Sequence, residues 1–283
     1  MQSSQRLANV AVLVVLATAT LAFGENRQDF RFKVGSHANI SIVNQYGAVT
    51  VKPSSGNEVM VTAVLQSNKV EIDKNQNGNR IDVVSHLLPG ATPESGRVDY
   101  EVFVPADANL TLHSTTGPLR AERLHGDVVL EGASANVEVR DVSDGHVHVN
   151  TLDGPITLTN IRNGHVEITS VSGDVILNQV DGPLVRVNSS SGKIRYDGDF
   201  AFGGEYSLTS HTGDIEATAP TYASIDVIAR SVKGKVDNEF PLHPKDHTSF
   251  PIDTIRNLVG TAGKAASSVK LLSFSGKIHL KKR

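Results

Sequence analysis

The chain contains no cysteine and no tryptophan, and aromatic residues make up only 5% of it. Without cysteine there is no disulfide, no thiolate nucleophile, no cysteine-ligated metal and no lipid-modified N-terminal cysteine. Large rings suit wide cores and ligand platforms. A chain that relies on Val, Ile, Leu, Thr and Ser instead reads as thin layers of packed strands. Charge of one sign is not in excess either: 27 basic and 30 acidic residues leave a formal net charge of −3. No Lys/Arg-rich block interleaved with aromatics occurs, so the electrostatic footprint of a nucleic-acid binder is missing. The closing Lys281-Lys282-Arg283 reads as a short solvated terminus. No P-loop, dinucleotide fingerprint, nucleophile elbow or Gly-Gly-x-Gly-x-Asp calcium run is present, and no cofactor is expected.

Only one long apolar run exists, from Val10 to Phe23, preceded by the single charge of Arg6. At about 14 residues it is short for a bilayer core of about 30 Å. Ala22 and Gly24 supply small residues for cleavage before Glu25. Residues 1–24 are therefore expected to be a secretory signal peptide, the alternative being an uncleaved anchor. The expected location is periplasmic, extracellular or cell-surface, with no transmembrane segment left after signal removal.

From residue 25 to residue 105, alternating apolar and polar positions are punctuated by Gly, Asn and Pro. Val59, Val61, Ala63 and Leu65 share one face, and Asn75 to Asn79 is a turn between Val70–Ile72 and Ile81–Val84. This pattern argues all-β, with these strands forming an N-terminal cap.

Between residues 106 and 240 a repeat takes over. Glycine stands at 117, 126, 145, 154, 164, 173, 182 and 192, with Ala135 in the one gap, at steps of nine or ten. An apolar-polar-apolar strand follows most of them, as in Val137-Glu138-Val139 and Ile156-Thr157-Leu158. Two such units make a period of about 19, read in Leu152-Asp153-Gly154, Val171-Ser172-Gly173 and Ser190-Ser191-Gly192. The expected fold is a parallel β-solenoid, β-helix-like, with two-strand rungs of about 19 residues stacked at about 4.8 Å. Glycine is expected at the reversals because it takes positive φ at no steric cost. Apolar residues two and four places after each glycine should point inward. An antiparallel sandwich of short hairpins is the competing reading. Pro241, Pro244 and Pro251 break the rhythm, so 241–268 is read as an inserted loop, with Thr254 to Val259 as a short helical turn. Residues 269–283 carry the last strand and the basic tail.

This pattern resembles the bacterial DUF4097 family of adhesin-like domains. The residues that carry the resemblance are Ile42 to Val51 around Tyr46-Gly47, then Val98 to Pro105 running into Leu110 to Gly117. The Ser-Gly-Asp-Val and Ser-Gly-Lys-Ile units at Ser172 to Val175 and Ser191 to Ile194 complete it. The resemblance spans about 30 to 280 and implies an exported β-solenoid. It brings no catalytic residues with it, and the Pro-rich stretch at 241–268 departs from the pattern.

Candidate chemistry is sparse. His146 and His165 lie 19 residues apart and should stack on adjacent rungs near Asp127. Imidazole and carboxylate at that spacing are possible Zn²⁺ or Cu²⁺ ligands; the plainer reading is a solvent-facing column. His148 and Glu167 form a second such pair. Asp127, Asp174 and Asp214 share one turn position, where Asp bonds local backbone amides rather than serving as a glycosidic acid/base pair. Asn150, Thr169 and Asn188 share another and suggest a hydrogen-bonded ladder. Asn39-Ile-Ser and Asn109-Leu-Thr match a glycosylation sequon, read here as chance. Outward residues of the central rungs, His148, Thr157, Glu167 and Arg186, are the expected binding positions, with an envelope protein, a glycan or a second copy as partner. The expectation is a non-catalytic envelope protein; the alternative is a polysaccharide-active β-helix lyase or hydrolase, which would show two carboxylates facing across a groove walled by 241–268.

Overall fold

A computed structural model describes residues 26–245 and 252–283. The leader expected at 1–24 lies outside the described residues. The described residues are all-β, wound into two facing sheets. We call the 12-stranded one sheet I and the 13-stranded one sheet II.

The N-terminal part holds β1 (Asn26–Lys33), β2 (Asn39–Tyr46), β3 (Val49–Pro53), β4 (Glu58–Leu65), β5 (Val70–Asn77), β6 (Arg80–Leu87) and β7 (Val98–Val104). The central rungs follow. They are β8 (Asn109–Thr116) with β9 (Leu119–Leu124), β10 (Val128–Ser134) with β11 (Val137–Ser143), and β12 (His146–Asp153) with β13 (Ile156–Arg162). Next come β14 (His165–Ser170) with β15 (Val175–Val180), β16 (Leu184–Ser189) with β17 (Ile194–Asp197), and β18 (Glu205–Ser210) with β19 (Ile215–Ala219). The C-terminal part contains β20 (Ile225–Ser231), β21 (Val236–Asn238), β22 (Ile252–Asp253), β23 (Asn257–Ala262), β24 (Ser267–Ser273) and β25 (Ile278–Lys282).

In each central rung the first strand lies in sheet II and the second in sheet I, and rungs stack in parallel. Val147 faces Val166, which faces Val185; Ile156 faces Val175, which faces Ile194. The parallel solenoid is thus the fold, and the hairpin sandwich is not. Every β alternation puts its apolar set between the sheets, where the core runs unbroken from Ile40 to Leu280. Burying one Val, Leu or Ile of this column contributes about 1.5–3 kcal/mol.

Glycine marks the corners for a reason other than the expected one. Of the repeat glycines, only Gly117 and Gly154 have positive φ. The rest are required by proximity. A Cβ on Gly145 would overlap the carbonyl oxygen of Gly126, and one on Gly173 that of Gly154. The corners stack so closely that no side chain fits between levels. The left-handed residues at the second corner are Asp144 and Asn163, each just before its glycine. After Gly182 the buried pair is Val185 and Val187, one place later than expected, because Pro183 aligns with Gly164 of the rung below.

Sheet I strands also bend. Arg123, Asp141, Asn160 and Gln179 are left-handed inside β9, β11, β13 and β15. The ladder skips them, pairing Arg140 with Thr159 and then Val142 with Ile161. This left-handed kink, shared by these strands so that the register is kept, turns Leu124, Val142, Ile161 and Val180 back into the core.

Rungs do not stack in chain order at the two ends. The β2–β3 rung sits between β6–β7 and β8–β9. The β24–β25 rung is inserted between β18–β19 and β20–β21. Antiparallel strands finish the stack: β1, β4 and β7 in sheet I, and β5 on β6 in sheet II. At the other end β23 runs antiparallel to β20, with β22 beyond it.

Three expectations are corrected here. Part of the 241–268 segment is strand: β20 has an edge that needs a partner, and Leu258 and Ala262 alternate into the core to supply one. Thr254 to Val259 is a hairpin turn leading into β23, closed by the Asn257 N–H donating to Thr254 Oγ1 at 3.1 Å, and not a helical turn. The C-terminal tail is docked rather than solvated. Lys281 pairs with Glu216 at 2.7 Å, and Arg283 reaches Asp199 at 2.7 Å while its backbone N–H donates to Ala219.

Candidate functional site: the outer face of the central rungs

Parallel, in-register stacking turns sequence neighbours 19 apart into spatial neighbours, so the outer face of sheet II is a set of columns. One column runs His148, Glu167, Arg186 on β12, β14 and β16. Glu167 joins it: Arg186 Nη1 lies 3.0 Å from one carboxylate oxygen and His148 Nδ1 3.8 Å from the other. All three are part-exposed. Thr157 does not belong to this column. It lies on β13 in sheet I, on the opposite side of the molecule, aligned with Glu138 and Ile176.

His146 and His165 stack as expected, with ring centroids 4.6 Å apart and planes 18° from parallel. Asp127 Oδ1 lies 3.5 Å from His146 Nδ1 and accepts the His146 backbone N–H at 2.9 Å. Near-parallel rings do not converge on a shared point, and among the described residues no group of three or more His, Asp or Glu is placed to hold a metal ion. Asn150, Thr169 and Asn188 align on the same face, but no side-chain hydrogen bond joins them among the described residues.

The turn carboxylates work between levels, not locally. Asp127 accepts the amide of His146, Asp174 that of Lys193 at 2.8 Å, and Asp214 that of Lys277 at 2.7 Å. Asn109 does the same for Asp127, while its Nδ2 donates to Asn39 Oδ1. The two sequon asparagines are thus members of a backbone-tying ladder.

A second ladder, absent from the expectations above, follows a local sequence spacing. Each Gly of the first corner is preceded three residues earlier by a small polar residue: Asn44, Ser114, Thr151, Ser170, Ser189, Ser210, Ser231 and Ser273, all buried. The hydroxyls of Ser170, Ser210, Ser231 and Ser273 each accept the N–H of the Gly three places on, at 2.8–3.1 Å. Ser210 also donates to Gly192 O, one level away. The exception explains itself. Gly132 holds this position where Ala135 replaces the corner glycine, and the Ala135 methyl fills the space a Gly132 side chain would need. The signal was the i, i+3 spacing of Ser or Thr to Gly.

Charged groups elsewhere pair with one another. On sheet I, Arg120 and Arg140 share Glu138, and Arg195 and Lys281 share Glu216. A shallow hollow of about 190 Å³ there is lined by Lys52, Arg120, Arg140, Glu122 and Glu138. A hollow of about 420 Å³ at the 241–268 segment is lined, among the described residues, by one carboxylate, Asp226, paired with Lys245 at 2.5 Å. Burial pushes the Tyr100 hydroxyl, bonded to Ser85 at 2.7 Å, up to about 12. Burial also raises Tyr196 well above its ordinary value, and its hydroxyl donates to the Val180 carbonyl. These tyrosines stay protonated and serve packing.

Corner glycines, buried serines and stacked outer columns define a short-rung, two-sheet parallel β-solenoid. Residues 37–281 match the Toastrack DUF4097 family, and the chain belongs to that family. It matches none of the curated proteins. It is similar to solved structures of a candidate adhesin from Bacteroides fragilis (10% identity, TM-score 0.36, 92% of this chain and 98% of that one) and another from Parabacteroides distasonis (12%, 0.35, 92% and 98%). A candidate cell adhesion protein from Clostridium sporogenes is similar at 12% identity and TM-score 0.26, over 91% of this chain and 100% of that one. Among the described residues no helix is long and apolar enough to cross a membrane.

Proposed function

We propose that this protein is an exported, non-catalytic, adhesin-like module of the cell envelope that binds through the outer face of sheet II. The observation behind this reading is the column His148–Glu167–Arg186, flanked by His146–His165 and Asn150–Thr169–Asn188 in the same register. A flat array of repeated polar groups makes many small contacts with an envelope protein or glycan and needs no pocket. The short apolar run from Val10 to Phe23, with Ala22 and Gly24 before Glu25, supports export. The enzyme reading would need two carboxylates facing across a groove by the 241–268 segment; among the described residues the hollow there is lined by one, Asp226, paired with Lys245.

The test is capture of partners from envelope extract together with a glycan panel, using residues 25–283. The triple variant H148A/E167A/R186A should lose the interaction, and T157A, on the opposite sheet, should keep it. Retention by the triple variant, or no binding by the parent in either assay, would overturn the proposal.

A further inference from the structure

Among the described residues eight large hydrophobic side chains are exposed, and five of them stand on one edge of the molecule: Leu152, Val171, Phe274, Val232 and Ile255, each between 37% and 64% exposed. Scattered singly, exposed hydrophobics need no explanation. These are aligned. The first corner has the form Ser/Thr-x-x-Gly on the six levels from Thr151 to Ser231, and its first x residue is exposed on each of them. Backbone hydrogen bonds run through the corner from level to level. The Val171 N–H donates to Thr151 O, Ser190 to Ser170, His211 to Ser189, Phe274 to Ser210 and Val232 to Ser273. The order along the ridge is therefore Leu152, Val171, Ser190, His211, Phe274, Val232. Five steps of about 4.8 Å make it about 24 Å long. Ile255 continues it, since the Ser231 N–H donates to the neighbouring Arg256 carbonyl.

The ridge reads the same from both ends. Turned about a twofold axis between Ser190 and His211, Leu152 meets Val232, Val171 meets Phe274, and Ser190 meets His211. The second x residue of each corner adds the charges. Asp153 follows Leu152 and Lys233 follows Val232, both exposed, so each Asp153 meets a Lys233 of the other copy. Phe274 is held for such a contact, its ring stacked on His211 at 4.8 Å and covered by Lys233 Nζ at 4.7 Å.

We propose that this corner is a self-association surface, on which a second copy of the chain packs antiparallel, apolar on apolar, with an Asp153–Lys233 pair at each end. A twofold interface requires such self-complementarity of a single patch. A ridge of this size is well below the area of a permanent dimer, so association is weak and concentration-dependent. It does not depend on the sheet II binding face, which points elsewhere.

Sedimentation velocity of residues 25–283 over a wide concentration range tests it. The parent should show a reversible monomer–dimer equilibrium. D153K and K233D should each weaken it about tenfold or more, since each variant puts two like-charged pairs in the interface. The double variant D153K/K233D should restore it. An equimolar mixture of the two single variants should form a heterodimer, because both end pairs are then again opposite in sign. That mixture also separates a lost interface from a lost fold. A parent that stays monomeric throughout, a dimer indifferent to the single variants, or a mixture that fails to associate would each overturn the proposal.

Discussion

At the scale of single residues, this protein is governed by how close two backbones come at a corner. Gly173 does not have positive φ, yet a Cβ there would overlap the Gly154 carbonyl oxygen. Overpacking of this kind costs about 1–3 kcal/mol, and more where backbone cannot yield. Gly173→Ala should therefore lower stability by about 3 kcal/mol. Gly56→Ala, with open space around it, should change little. Urea denaturation of the two variants checks this, and equal midpoints would sink the close-approach account. The serine three places earlier belongs to the same unit. Its hydroxyl ties down the glycine amide on its own level, a buried donor that would otherwise go unmet.

At the scale of elements, the arrangement of the last rung matters most. β24 and β25 come last in the chain but lie between two rungs that precede them. Without them β18 and β20 each lose a parallel partner, and Leu271 and Leu280 leave a gap in the core. Truncation after Ala266 should therefore abolish cooperative unfolding and protease resistance. Arg283→Ala, which keeps the backbone bond to Ala219 and removes ion pairs with part-exposed acids, should cost no more than about 1 kcal/mol. Limited proteolysis with thermal melts measures both. A truncated chain that melts like the parent would show that β18 and β20 can pair directly.

At the scale of the whole molecule, each rung touches mainly its neighbours, so stability is close to a sum of nearest-neighbour terms. Protection should be highest in the middle and fall toward the ends. Hydrogen exchange read by mass spectrometry should show β12, β14 and β16 exchanging slowest in sheet II, and the edge strands β1 and β21 fastest. Uniform protection along the stack would count against this picture. The edges also differ. The N-terminal end shows eight-residue strands in both sheets, whereas β21 and β22 have three and two residues. Short edges blunt strand pairing between molecules.

Much of this was written in the sequence. The nine- and ten-residue spacing of glycine set the rung, the alternation set which side chains face the core, and the 19-residue period set the columns that align His148 with Glu167 and His146 with His165. Local periodicity is enough for that, because parallel in-register stacking copies a one-dimensional repeat directly into space. The order of rungs at the ends, the strand in 257–262 and the docking of Arg283 were decided only in three dimensions. They depend on which free edge a segment finds after long excursions of the chain, and no local pattern encodes that choice. Thr157 shows the same division. Its outward direction followed from alternation, but its place on the sheet opposite His148 followed from how the rung folds over its corner.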